Sequence, residues 1–161
     1  MAPNTRYPKP SFVGDLTIDI IIGSVSHYFR VGAEDIASDK RSAHLINARK
    51  AIVYLGQRLL LLSCMKEAAA EGRANLATQR AYTKNITYEL AIALNRDHTT
   101  IGYYDNCAVD LREKSERFRK LTDIIWDELV DAFELDDDKD IGFLSAKTIK
   151  ATRTPAIAST R

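Results

Sequence analysis

A run of aliphatic residues in the first half of the chain constrains the fold most. Between residues 43 and 62 these side chains recur every three or four positions, the spacing of one buried helix face. One long helix at the centre of a core is therefore expected, with Arg49, Lys50 and Arg58 off the buried stripe. The aliphatic residues are Leu45, Ile46, Ile52, Val53, Leu55, Leu59 and Leu62.

Other segments also show helical spacing. A first helix is expected from about Asp15 to Arg30, and a short turn of helix within residues 33–38. Ser42 is placed to cap the central helix. A further helical region runs from about residue 97 to Phe133, and the sequence leaves open whether it is broken near residues 110–115. Strand-like alternation is essentially absent, so the expected class is all-α, a helical bundle.

The chain has 161 residues, of which 45% are hydrophobic and 28% charged. These values fit one soluble globular domain. Residues 1–14 contain three prolines and are expected to form a flexible arm. We expect the domain to span residues 15–133, followed by a charged linker and basic tail over 134–161.

The cellular compartment is inferred from the cysteines and from the amino terminus. Cys64 and Cys107 have no metal-binding spacing and are expected to be reduced thiols. The amino-terminal residues are polar and proline-rich, unlike a secretory signal, and no apolar run approaches the length of a membrane span. A cytoplasmic protein is therefore expected.

Charge is distributed unevenly along the chain. Residues 1–100 hold 13 Lys/Arg against 9 Asp/Glu, a net of +4, whereas residues 101–140 hold 6 against 13, a net of −7. Such asymmetry suggests that one face of the protein meets an anion. The alternative for residues 123–140 is a solvated acidic helix.

Residues 63–85 differ in composition from the segments around them. They are rich in Ala, Glu, Gln and Arg, which favour helix, but contain few large apolar anchors. With Gly72 as an interruption, they are expected to form a projecting helical excursion or a hairpin arm. A short helix over residues 87–94 is expected to follow.

The segment Arg96-Asp97-His98-Thr99-Thr100 follows the amphipathic residues 86–94 after a two-residue break. This pattern predicts a helix-turn-helix, whose second helix begins with short polar side chains that can reach base edges in the major groove. Asp97 is placed to cap this helix. The alternative is an ordinary capped helix start with a surface histidine.

Three blocks of the chain together resemble the C-terminal DNA-binding domain, domain IV, of the bacterial chromosomal replication initiator DnaA. The first block is residues 25–36. The second is Ser38-Asp39-Lys40-Arg41-Ser42 followed by residues 47–55, and the third is residues 96–101. The resemblance covers roughly residues 15–62 and 86–133, and the third block matches the signature pentapeptide of the family directly.

The resemblance implies a two-part DNA reader and a preference for AT-rich sites like those of the initiator. In this reader Arg41 enters the minor groove, where a narrow AT-rich groove attracts a guanidinium. Arg49 contacts base and phosphate, and Lys50 and Arg96 contact phosphates. The first residues of the helix that begins near residue 97 contact base edges in the major groove. The implied DNA-binding residues are Lys40, Arg41, Arg49, Lys50, Arg96, Asp97, His98, Thr99 and Thr100.

The chain also departs from the family pattern. It has no GxxxxGK[ST] loop, so the ATPase domain is missing and no nucleotide is expected to bind. Residues 63–85 correspond to an insertion of about twenty residues, judged against ordinary loop lengths. After Ile101 the recognition helix diverges, with Tyr103 and Tyr104 where the family has smaller or basic residues. The sequence preference is therefore expected to differ from that of the family.

Two functions follow from these features. The first is sequence-specific binding of double-stranded DNA, as a stand-alone regulator of replication initiation or of transcription. A DNA-binding domain that lacks the ATPase domain is also compatible with a phage or mobile-element gene. The alternative is a protein-interaction module that binds a host partner through residues 63–85 or through the acidic helix. Neither cysteine nor any histidine has the neighbours of a catalytic group, so no enzyme activity, cofactor or metal is expected.

Overall fold

The computed structural model describes residues 16–135, which form six α-helices and no strand within that range. The all-α class expected from the sequence is therefore confirmed. The expected flexible arm over residues 1–14 lies outside the described residues, as does all of the linker and tail beyond residue 135. The helices are α1 (Ile18–Phe29), α2 (Ala33–Ile36), α3 (Ala43–Ala70), α4 (Leu76–Leu94), α5 (His98–Lys114) and α6 (Glu116–Ala132).

The central helix is α3, which is 28 residues long and packs against each of the other five helices. It begins where the sequence predicted, because the Ser42 hydroxyl accepts from the Leu45 backbone N–H at 3.2 Å. Its apolar residues are almost completely buried, and Tyr54 and Leu55 lie in the middle of the core. The prediction of one long core helix is confirmed.

Helix α1 packs against α3 and, near its own carboxyl-terminal end, against α6. It starts at the Thr17 cap and ends at Arg30, which adopts a left-handed conformation with φ of 58°. The Phe29 and Phe118 rings meet edge to face, with centroids 5.8 Å apart. The Tyr28 hydroxyl also donates to the Glu128 carboxylate. These contacts join the first and last described helices.

Residues 63–85 form a helical hairpin, which is one of the two expected forms, but its helices are continuous with their neighbours and not a separate arm. They contain the end of α3, a turn at Gly72 with φ of +72°, and the beginning of α4, which has 19 residues. Asn75 caps α4 by accepting from the Thr78 backbone N–H at 2.8 Å. The expected helix over residues 87–94 is thus only the second half of a longer one, and the segment extends α3 and α4 as an antiparallel hairpin.

Helix α4 approaches α3 closely at Gly56. A Cβ atom at this position would lie 2.9 Å from Leu90 Cδ2, so a larger residue would force the leucine side chain to shift. The buried residues of α4 all lie in its second half, from Ile86 to Leu94. This packing fixes the carboxyl end of α4 and the turn that follows.

Helix α5 is held against α3 by an ion pair that the sequence did not suggest. Arg58 donates to both Asp105 carboxylate oxygens, at 2.5 and 3.2 Å, and its guanidinium lies 4.2 Å from the Tyr54 ring centre. Arg58 is therefore largely buried, contrary to expectation. Ser115 separates α5 from α6 and caps α6, which settles the break that the sequence left open.

Candidate nucleic-acid interface

The turn between α4 and α5 consists of residues 95–97, one residue more than the sequence suggested. Asn95 adopts the left-handed conformation with φ of 55°, which asparagine tolerates better than most residues. The Arg96 backbone N–H then donates to the Ala91 carbonyl at 2.9 Å. The left-handed Asn95 and this hydrogen bond end α4 and direct the chain into α5.

Asp97 occupies the N-cap position of α5, as the sequence predicted, although its carboxylate does not make a capping hydrogen bond of full geometry. The carboxylate instead accepts from the Thr99 hydroxyl at 2.8 Å, and His98 Nδ1 lies 3.2 Å from it. The Thr99 hydroxyl and the His98 ring hold the pKa of this carboxyl below its ordinary value. The three side chains thus form one polar cluster.

The start of α5 is open to solvent. Asp97, His98 and Thr99 are exposed, while Thr100 is half-buried. The Tyr88 ring lies 5.1 Å from the His98 ring, centre to centre, and both side chains line a shallow cleft of about 570 Å³ on that side of the turn. A Tyr88 contact of this kind was not expected from the sequence.

The basic loop, residues 38–42, precedes α3. Lys40 is exposed and pairs with Asp35 at 3.0 Å, and its backbone N–H donates to the Ser38 hydroxyl. Arg41 is exposed and makes no hydrogen bond or ion pair with any residue from 16 to 135. Of the two loop cations, Arg41 is therefore the one without a carboxylate partner in the described chain. Lys50, about two turns into α3, is half-buried.

Arg49 is not where the sequence placed it. It was expected off the buried stripe, but its side chain has no solvent exposure. Its Nε donates to the Ile36 carbonyl at 2.8 Å, and its Nη2 donates to the Asp35 and Ser38 carbonyls, both at 3.0 Å. The guanidinium thus binds two carbonyls at the end of α2 and one in the basic loop. Arg49 positions the basic loop.

Arg96 connects this loop to the turn. Its Nη2 donates to the Ser38 carbonyl at 2.8 Å, and its Nη1 donates to the Leu94 and Asn95 carbonyls, both at 3.0 Å. The Ser38 carbonyl therefore accepts from two arginines, one from α3 and one from the turn. This junction holds the two halves of the predicted reader together, and sequence reasoning missed Ser38.

A second cleft, of about 320 Å³, opens between the basic loop and α5. It brings together four of the predicted DNA-binding residues and three that sequence reasoning did not assign to the site. Among the described residues that line it, none is a carboxylate. The predicted ones are Arg41, Arg49, Arg96 and Thr100, and the others are Ile46, Tyr103 and Tyr104.

The face that carries these residues offers hydrogen-bond donors, acceptors and positive charge rather than a metal site. Within residues 16–135 no group of three or more His, Cys, Asp or Glu side chains is placed to hold an ion. No helix in that range has the length and apolar character needed to cross a bilayer. Comparison with protein-family models, with curated proteins and with solved structures gave no match to this chain.

Proposed function

We propose that the protein binds double-stranded DNA in a sequence-specific manner and regulates replication initiation or transcription. In this proposal α4, the turn and α5 act as a helix-turn-helix, with the start of α5 in the major groove. The loop that carries Arg41 enters the adjacent minor groove. The resemblance to the initiator's DNA-binding domain supports the same assignment.

The observation that carries the proposal is the cleft shared by Arg41 and Thr100. The two residues are far apart in the chain, yet both line the same cleft. His98 and Thr99, which are exposed, lie beside Thr100 on the first turn of α5. A helix start with short polar side chains beside an exposed guanidinium suits simultaneous contact with base edges and backbone.

The structure changes which cations are assigned to phosphate contact. Arg49 is buried and Arg96 is bonded to three main-chain carbonyls, so both support the loop and do not touch DNA in this proposal. Lys40, Arg41 and Lys50 remain at least partly accessible. With three phosphates neutralised, the logarithm of the binding constant should fall with the logarithm of salt concentration with a slope of roughly −3.

The decisive experiment is selection of bound duplexes from a random library, followed by footprinting of the selected sequence with the full chain. Recovery of one sequence, with protection of adjacent major and minor grooves, is the expected result. AT-rich sequence in the protected minor groove would agree with the resemblance. Failure to retain any duplex at low salt would refute the proposal.

Variants of the selected complex test the roles of individual residues. His98→Ala and Thr99→Ala should each weaken the selected duplex by roughly 1–3 kcal/mol and reduce discrimination against altered bases. Lys50→Ala is the matched control, because loss of a phosphate contact weakens all duplexes alike. Equal losses on selected and scrambled duplexes for all three variants would contradict base reading by α5.

A protein-interaction role has one observation in its favour. The first half of α4 contributes no buried residue, and Leu76 at its start is 53% exposed. This half of the hairpin is thus available to a partner. If no duplex is retained while the chain captures a partner, and Leu76→Glu abolishes that capture, the interaction role replaces DNA binding.

A further inference from the structure

The start of α5 contacts α4 through an aromatic pair. The Tyr88 ring lies 5.1 Å from the His98 ring, centre to centre, and the two ring planes are inclined by 43°. This distance is within the range in which aromatic rings attract each other. Tyr88 is half-buried, whereas the His98 side chain is 50% exposed. The exposed imidazole therefore has a ring neighbour on the preceding helix.

The Asp97 carboxylate contacts the same imidazole. His98 Nδ1 lies 3.2 Å from Asp97 Oδ1, and the other carboxylate oxygen accepts from the Thr99 hydroxyl at 2.8 Å. An exposed histidine without such neighbours has more than one χ1 rotamer open to it. Contacts with two separate side chains, Asp97 and Tyr88, favour one of these rotamers before any ligand is bound.

Tyr88 is held in place by the packing of α4 on either side of it. Ile86 is 1% exposed and Leu90 has no exposed surface, and Leu90 lies at the close approach of α4 to Gly56. The partly buried aromatic residues of α4 that pack against the hydrophobic core include Tyr82 but not Tyr88. The ring that contacts His98 thus extends from a well-packed helix, which supports a binding residue more precisely than a loop does.

We infer that Tyr88 is a positioning residue for base reading. Its ring keeps the His98 imidazole in one orientation, and the sequence preference at the base pair that His98 contacts depends on this ring. The inference rests on the proposed function, because that base pair belongs to the DNA bound at the start of α5. It adds a residue on α4 that sequence reasoning did not assign to the site, and this residue acts on the DNA through His98.

The effect of Tyr88 is expected to be confined to one base pair. A side chain that is already ordered avoids the conformational entropy that an unrestrained side chain loses on binding. Releasing the His98 ring should therefore reduce its discrimination between bases by about threefold to tenfold. A general loss of stability would instead weaken the binding of every duplex alike.

The test uses the full chain, the duplex recovered by selection and the single base-pair variants of that duplex, with binding followed by fluorescence anisotropy. His98→Ala first identifies the base pair that His98 contacts, as the one at which discrimination is lost. Tyr88→Leu should then reduce discrimination at that base pair by about threefold to tenfold and leave the other base pairs unchanged. Tyr88→Phe keeps the ring and should retain the discrimination of the wild type.

A double-mutant cycle separates positioning from support of the fold. In the His98→Ala background, Tyr88→Leu should cause no further loss at this base pair. Tyr82→Leu is the matched control, because Tyr82 lies on the same helix and contacts Arg73 instead. It should leave discrimination unchanged at every base pair. Equal weakening of all duplexes by Tyr88→Leu, or a loss that persists without the imidazole, would overturn the positioning role.

A measurement without DNA follows the ring contact itself. In ¹H–¹³C correlation spectra of the free chain, the ring current of Tyr88 should displace the His98 ring protons from their positions in an unstructured peptide. Tyr88→Leu should remove this displacement, and Tyr88→Phe should retain it. A displacement that Tyr88→Leu leaves unchanged would overturn the inference whether or not DNA binds. Backbone amide spectra of the same variants report whether the fold is intact.

Failure of the inference is distinguishable from failure of the proposed function. If the duplex binds specifically but Tyr88→Leu leaves the His98 base pair unaffected, the positioning role fails alone. It also fails alone if His98→Ala alters discrimination at no base pair of a duplex that binds. If no duplex is retained at low salt, the proposed function fails, and the positioning role fails with it even where the ring contact is present.

Discussion

Arg49→Met is the substitution that best separates a positioning role from DNA contact. The guanidinium makes three hydrogen bonds to carbonyls at 2.8–3.0 Å, and its side chain is fully buried. Methionine keeps much of the aliphatic stem and removes the donors. The substitution therefore tests the carbonyl contacts without opening a large cavity.

The expected loss of stability follows from two opposing contributions. Hydrogen bonds to a charged group contribute roughly 1.5–3 kcal/mol each, so three give roughly 4.5–9 kcal/mol. Burying a cation without a carboxylate offsets several kcal/mol of this. Water can also reach part of the exposed loop and replace some of the lost hydrogen bonds, which reduces the loss of stability. A net loss of about 3 kcal/mol is expected, which lowers Tm by about 10 °C for a domain of this size.

The assay is thermal unfolding of the full chain, followed by circular dichroism at 222 nm. Lys50→Met is the matched control, because it removes a neighbouring, half-buried cation and should change stability by less than about 0.5 kcal/mol. Arg49→Lys should recover little, since one ammonium group cannot span three carbonyls. A Tm for Arg49→Met within about 2 °C of the wild type would refute the positioning role.

Three further predictions concern the turn, a cap and the thiols. Ser42→Ala should destabilise the chain by about 1 kcal/mol in urea unfolding, because α3 loses its side-chain cap; no change would show that solvent replaces it. Asn95→Ala should cost about 1 kcal/mol and Asn95→Gly almost nothing, because the position has φ of 55°; equal effects of the two variants would contradict a backbone origin. Burial raises the pKa of the Cys64 thiol from 9.0 to about 12, so a thiol reagent at pH 8 should label Cys107 first and Cys64 only after unfolding. The same shift predicts that stability falls as pH rises above about 9, where the thiol ionises only in the unfolded chain. Simultaneous labelling of both thiols in the folded chain would contradict this burial.

Much of the fold was predictable because local signals and packing agree. The aliphatic spacing of α3, the Ser42 cap and the short helix after Gly32 all lie where the sequence indicates. The length of α4 was not predictable in the same way. Residues 76–85 have few large apolar side chains. They follow Asn75, which caps the helix, and they continue into the second half of α4, whose apolar residues are buried. Favourable helix propensity extends the helix from that packed half.

The positions of the arginines were the least predictable part of the site. Arg49 was expected off the buried stripe, yet it is buried, and its partners belong to α2 and the loop, 11 to 14 residues earlier in the chain. Arg58 is likewise buried by Asp105, 47 residues away. Such contacts depend on how helices pack, which helical spacing within one segment does not encode. The exposed start of α5 depends only on local sequence, and the side chains there are accessible as expected.

The Ser38 junction explains why the loop and the turn should be treated as one reading unit. A loop that becomes ordered only on binding loses roughly 1–2 kcal/mol of conformational entropy per residue. Here Arg49 and Arg96 already bind the Ser38 carbonyl, and Ser42 already caps α3. Both ends of the five-residue loop are thus fixed before any ligand arrives, and Arg41 extends from a prearranged backbone. Under the proposed function, a substitution at Arg96 should therefore weaken contacts in both grooves, although Arg96 itself makes three hydrogen bonds to protein carbonyls.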